Sequence, residues 1–191
     1  MLAGMTALLL AAALVSKTGI PYLADDQAGP PELVEAIRAR RPGGKLLNLD
    51  RMLLHSPNFA KGWNSMFAAI RGNLALPGKL RELPILAIAV LNKAGYEWLQ
   101  HEPEFLKAGG TQDELKALRA LDPKPFNAAE RAALQLTIEM TRDVQPKQAT
   151  VDAVRKLLPD DQVVELIGTI AGYNMVSRFL LATGVEAEAA R

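Results

Sequence analysis

Between Pro57 and Asn73 the apolar residues Phe59, Trp63, Met66, Phe67 and Ile70 recur at intervals of three and four. That spacing lines one face of a helix, so the segment is expected to be helical with an aromatic edge turned to the core. From Leu83 to Leu91 the apolar residues fall on every side, the pattern of a helix buried all round. Pro84 qualifies this, because a mid-helix proline lacks an N–H and clashes with the carbonyl four residues back. The helix is expected either to begin near Arg81 or to kink at Pro84. The chain turns polar at Asn92-Lys93, and a further helix carries Tyr96, Glu97, Trp98 and His101 until Gly109-Gly110 stops it.

The remaining helices are read from their ends. Pro31 suits a first helical turn and opens a short helix through Arg40, broken by Arg41-Pro42-Gly43-Gly44. Asn48 or Asp50 can cap the next, over 49–55. Thr111 with Glu114, and Asn127 with Glu130, match the capping box and begin two more, the second running to about Asp143. A short amphipathic helix is expected over 145–158. A long one starts at Pro159-Asp160, runs to Thr183 and stops at Gly184. Gly168 and Gly172 lie one turn apart on it and are expected to let another helix approach closely. No stretch alternates as a strand would, and the fold class is all-α.

Composition agrees. The chain has 191 residues, 49% hydrophobic but only 5% aromatic, and it is short of the β-branched and aromatic residues that strands favour. This length suits one domain, or one domain with an appendage. The domain is expected to span 18–185, beginning with an irregular arm rich in proline and glycine (18–31) and ending before a short tail at 186–191. Net charge is +1 with no long charge block, so neither a nucleic acid nor an anionic membrane is expected as a partner. The absence of cysteine excludes disulfides, thiolate metal sites and thiol redox chemistry in this chain. Residues 2–15 are uncharged, yet fewer than the roughly 20 apolar residues of a membrane span. Three readings stand: an ordered helix against the core or a partner subunit, a start upstream of the domain, or a leader. In the last, Ala11-Ala12-Ala13 is the cleavage candidate, without the usual preceding Lys or Arg. The location is then cytoplasmic, or exported if 1–15 is a cleaved leader.

Candidate chemistry centres on Glu97 and His101, four residues apart and so on one helix face. A carboxylate beside an imidazole fixes one ring tautomer and strengthens its hold on a proton, which makes acid/base work possible near neutral pH. The competing reading is an exposed ion pair that happens to have helical spacing. His55, at a helix junction before Ser56-Pro57, reads as structural, with a pocket role as the alternative. Arg178 shares a face with Asn174 and either pairs with a buried acid such as Glu82 or serves a site. Two histidines far apart, without clustered carboxylates, give no metal site. Ser56 and Ser65 lack a nucleophile-elbow motif, and there is no glycine-rich phosphate loop.

Five segments, IPYL at 20–23, MLLHSP at 52–57, REL at 81–83, YEWLQH at 96–101 and YNMVSRFL at 173–180, together resemble the carboxymuconolactone decarboxylase family, whose relatives include the alkyl hydroperoxidase D proteins. The resemblance covers about Ile20 to Val185. It implies an AhpD-like helical domain with a core helix hairpin, assembled as a homo-oligomer, a trimer or hexamer. The peroxidase branch carries a glutamate, then Cys-x-x-Cys, then a histidine. On this chain the glutamate falls at Glu82 and the histidine at His101, while Ala94 and Glu97 occupy the cysteine positions. Peroxide reduction by that route needs two thiols, so a peroxidase label is not expected to apply. The resemblance to the decarboxylase branch implies a cofactor-free lyase acting on a small-molecule carboxylate, a lactone or ring. His101 would be its proton donor, Glu97 would orient the ring and Glu82 would relay protons. Arg71, Arg81 or Arg178 is expected to bind the substrate carboxylate, with Trp98, Tyr96 and His55 as candidate pocket walls. The alternative is a non-catalytic helical oligomer in which the same residues form a buried polar network.

Overall fold

Apolar residues on every side of one segment leave it nowhere to sit but the middle of the molecule, and α4 (Gly78–Leu91) is there. The computed structural model describes residues 14–188. Among them the order is α1 (Pro31–Arg38), a 3-10 turn at Pro42–Gly44, α2 (Asn48–Leu53), α3 (Pro57–Gly72), α4, α5 (Gly95–Lys107), α6 (Gln112–Ala120), α7 (Ala128–Arg142), α8 (Gln148–Arg155) and α9 (Asp160–Thr183). The fold is all-α. The sole β-type pairing among the described residues is an isolated antiparallel bridge between Val15 and Pro21.

Helix α4 packs against α5, α7 and α9 and divides two hydrophobic clusters. Ile85 and Ile88 join the larger, with Trp63, Phe67, Ile70, Leu166 and Ile170 from α3 and α9. Leu83, Leu86 and Ala87 join the smaller, with Phe105, Leu118 and Leu134 from α5, α6 and α7. The helix begins at Gly78, three residues before the expected start near Arg81, because the Arg81 N–H already bonds the Pro77 carbonyl at 3.0 Å. Pro84 therefore lies inside the helix rather than in its first turn.

The joint between α4 and α5 makes the hairpin. Lys93 takes a left-handed conformation, φ +58°, which L-residues other than Asn and Asp rarely adopt. Asn92 ties the joint to α9 by donating to Ser177 Oγ at 2.7 Å and to Asn174 Oδ1 at 3.2 Å. Both expected capping boxes form, at Thr111/Glu114 and Asn127/Glu130. In α2 the cap comes from within, Asp50 accepting the Leu47 N–H at 2.9 Å. The arm before α1 lies against the C-terminal segment, with the Lys17 N–H bonded to the Gly184 carbonyl. Of the apolar stretch 2–15, all but its last two residues lie outside the described residues. Among the described residues no helix is long and apolar enough to cross a membrane.

The glycine pair on α9 is split. A Cβ at Gly172 would stand 3.2 Å from Ile70 Cδ1, so α3 does approach there, whereas Gly168 has nothing within 4 Å. Gly110 is tighter, since a Cβ would fall 2.1 Å from the ring of the fully buried Phe105. Gly110→Ala is expected to cost about 1–3 kcal/mol by forcing that ring aside. Gly168→Ala is expected to be neutral or to stabilise by up to about 1 kcal/mol. Urea denaturation of the two variants checks the contrast, and equal effects would refute it.

Candidate functional site

Glu82 is fully buried among the apolar residues of α4, where an unpaired carboxylate would be very costly. It is paired twice. Arg81 Nε donates to Oε1 at 3.0 Å, and His101 Nδ1 lies 2.6 Å from Oε2. Burial alone would raise the carboxyl above its ordinary value. The His101 hydrogen bond and charge, with the Arg71 and Arg81 guanidiniums, outweigh it and hold Glu82 below that value. An ionised Glu82 makes Nδ1 the protonated nitrogen of a neutral imidazole and leaves Nε2 with the free lone pair. Burial pushes His101 below its ordinary value, and the Glu82 hydrogen bond and charge only partly offset this. Tyr173 of α9 sets the ring's orientation from the other side, with centroids 5.0 Å apart and planes at 89°.

Glu97, one turn before His101 on α5, has no partner. Both of its carboxylate oxygens are buried and make no hydrogen bond among the described residues, and burial raises its pKa well above the ordinary value. Burial without a hydrogen-bond partner favours its protonated, uncharged form. The partnership expected between Glu97 and His101 is thus made by Glu82 instead, because α4 delivers its carboxylate to Nδ1 from across the helix pair.

Glu97 and His101 line one narrow recess of about 50 Å³, room for a few water molecules or the end of a small ligand. Trp63, Phe67, Val176 and Leu180 make its apolar wall. It adjoins a wider vestibule of about 460 Å³ and shares Arg40, Arg41 and Arg71 with it. Arg41 is held in a fork by Asp50, at 2.9 and 2.5 Å, and Arg40 by the Asn64 carbonyl and side chain. Among the described residues Arg71 has only Glu104, at 3.8 Å. Among the described residues no three His, Asp or Glu gather as a metal site.

Of the other candidates, Tyr96 lines the recess, with its hydroxyl donating to Glu188 at 3.1 Å. Trp98 does not. It sits in the smaller core cluster, bonds Glu102 through its indole N–H and carries the Arg119 guanidinium 3.9 Å above its ring. His55 is exposed and bonds the Pro21 carbonyl at 2.7 Å, pinning the N-terminal arm. Arg81 is committed to Glu82 and to the Arg71 carbonyl. Arg178 makes no ion pair with Glu82. It donates to the Asn174 carbonyl and side chain one turn back. Nothing in the local sequence assigns a site role to Arg40, Arg41 and Gln100, or to Tyr173 beyond its place in the last helix. The one signal was two adjacent arginines before a Pro-Gly-Gly turn.

Residues 57–139 match the sequence model of the carboxymuconolactone decarboxylase family, a span from the start of α3 to within α7 that includes Glu82, Glu97 and His101. No curated protein matches the chain. Among solved structures, a peroxidase-related protein from Silicibacter sp. TM1040 superposes with a TM-score of 0.73, at 18% identity over 88% of this chain and 93% of that one. A cysteine-to-alanine variant of the debrominase Bmp8, in complex with 2,3,4-tribromopyrrole, gives a TM-score of 0.76 at 19% identity, covering 92% of each chain. A putative antioxidant defence protein AhpD from Agrobacterium tumefaciens gives 0.66 at 16% identity, over 71% of this chain and 94% of that one. The AhpD-like fold is therefore shared, and the resemblance to the family holds.

Glu97 has a signature in stability. A raised native pKa means the folded protein keeps a proton that the unfolded chain releases above its ordinary value of 4.5. The stability this proton supports is present below that value and is lost as pH rises toward the native pKa. Glu97→Gln is therefore expected to gain on the wild type by up to about 1.4 kcal/mol per pH unit across this window. Urea denaturation between about pH 5 and 8 measures it. Parallel stability curves for the two proteins would mean that Glu97 is ionised in the fold.

Proposed function

We propose that this chain is a cofactor-free lyase of the carboxymuconolactone decarboxylase type, removing a carboxylate from a small carboxylated lactone or ring. The observation that carries the reading is one recess lined by both a buried acid without a hydrogen-bond partner among the described residues, Glu97, and an imidazole fixed by a buried carboxylate, His101 with Glu82. Two carboxyl groups, one ionised by its partners and one kept neutral by burial, is how a protein assigns separate proton roles to like groups. The debrominase with the similar fold holds a small flat ring, a ligand of the size this reading requires. Thiol peroxidase chemistry is outside the chain's means, since it has no cysteine.

The reacting carboxylate enters the recess against Trp63, Phe67, Val176 and Leu180. There it loses hydration that departing carbon dioxide does not need. The bond from ring carbon to carboxylate breaks, its electron pair passes into the conjugated lactone carbonyl, and carbon dioxide leaves. Glu97 gives its proton to the carbon left behind. The resulting carboxylate regains a proton from solvent, passed on by His101 Nε2 while Glu82 holds Nδ1. The recess is small beside a substituted ring, so the rest of the substrate occupies the vestibule.

The test is carbon dioxide release from a panel of carboxylated γ-lactones and small heteroaromatic carboxylates. For a substrate so found, His101→Ala and Glu97→Gln are each expected to lower kcat by about 10²–10⁴ with the fold intact. Undiminished turnover in His101→Ala would remove that residue from the mechanism. Dissociation or unfolding of that variant, with no turnover by the wild type, would favour the structural network instead. The pH profile is expected to be bell-shaped. Activity falls at low pH as His101 protonates, below its ordinary 6.5, because an imidazolium would hold the leaving carboxylate in place. It falls at high pH as Glu97 ionises, well above its ordinary 4.5, and has no proton to give.

A further inference from the structure

Three guanidiniums border the vestibule, and their neighbours separate them. Arg41 is spoken for by Asp50, which is itself buried, through two hydrogen bonds. Arg40 is spent on Asn64. Arg71 alone lines both the recess and the vestibule without a hydrogen-bonded partner for its guanidinium among the described residues. Its nearest acid, Glu104, is 3.8 Å away, beyond hydrogen-bond distance and half-exposed. Its charge reaches the dyad, lowering the pKa of both Glu82 and His101. The cluster carries surplus positive charge as well, since Arg41 and Arg71 add to burial in depressing Arg40. A guanidinium that is half-buried, unforked and next to two others is a seat for an incoming anion.

We propose that Arg71 binds an anionic group of the ligand at the vestibule, distinct from the reacting carboxylate that enters the recess, and that Glu104 is the competitor which that group displaces. The assignment rests on the proposed reaction only for what happens deeper in. It selects one of three arginines and adds a residue that sets affinity. Arg81 is excluded by its bonds to Glu82 and to the Arg71 carbonyl, and Arg178 by its bonds to Asn174 away from the recess. A carboxylate at Arg71 accepts two parallel N–H bonds at ordinary hydrogen-bond length, which Glu104 does not achieve from 3.8 Å. Glu104 lines the vestibule too, so its charge repels the same ligands that Arg71 attracts. Removing Glu104 should therefore tighten anion binding, whereas removing Arg71 should weaken it.

Furan-2-carboxylate, a small flat ring with one carboxylate, serves as the probe, and furan-2-carboxamide as the uncharged control. Titration calorimetry on the full chain is expected to show saturable binding of the carboxylate and much weaker binding of the amide. Arg71→Ala is expected to weaken the carboxylate by about tenfold or more, and Arg71→Lys by less, since the charge stays and the fork is lost. Glu104→Gln is expected to tighten it several-fold, and Arg178→Ala to leave it unchanged. Only the main-chain carbonyl of Arg71 is used by Arg81, so the side-chain variants keep that contact, and circular dichroism confirms the fold. No saturable binding to the wild type, equal binding by Arg71→Ala, or weaker binding by Glu104→Gln would each overturn the assignment. The proposed reaction fails separately: if furan-2-carboxylate binds as described while no panel substrate releases carbon dioxide, the anion seat stands and the lyase does not.

Discussion

A carboxylate with no access to water must be neutralised where it stands, and at Glu82 this requirement organises the molecule. Its two oxygens are filled from different directions, one by Arg81 on the same helix and one by His101 on the next. The α4–α5 hairpin is thereby locked by a buried ionic contact as well as by packing, and such contacts fix geometry more reliably than they add stability. Breaking the contact would strand a charge in the core. The imidazole can then adopt only the orientation that completes the pair.

From that lock the site acquires its asymmetry. Glu82 and Glu97 are both deep, yet their surroundings push them in opposite directions, Glu82 toward the ionised form and Glu97 toward the protonated one. The difference lies in their partners: Glu82 meets an imidazole and a guanidinium, whereas Glu97 meets no hydrogen-bond donor among the described residues. A neutral acid, a neutral base and an apolar wall make a recess with little net charge at its closed end. The arginines stand at its mouth. Charge thus falls from the vestibule inward, which draws an anion in while offering little solvation to the group at the bottom.

Much of the architecture was legible in the chain. The aromatic stripe of α3, the all-round apolar α4, the capping boxes at Thr111 and Asn127 and the stop at Gly184 are local features. Helical period and terminal hydrogen bonds are decided within a few residues, so these needed no knowledge of the fold. Pro84 leaves two options open, a helix start near Arg81 or a kink, and the bond from the Arg81 N–H to the Pro77 carbonyl removes the first. The glycine pair on α9 was only half right, because which side of a helix meets a neighbour is set by the neighbour.

The site divides in the same way. The sequence determined that Glu97 and His101 share one helical face, that Glu82 precedes them on a buried helix and that no thiol is present. Only the tertiary structure decided that Glu82 and not Glu97 holds the imidazole and that, among the described residues, Glu97 is left without a hydrogen-bond partner and Arg71 rather than Arg81 or Arg178 has an uncommitted guanidinium beside the recess. Spacing along a helix fixes which residues are near one another on that helix. Pairing between helices, and the burial that makes one carboxyl ionised and another neutral, depend on how whole elements cross, and no short stretch of sequence encodes that crossing.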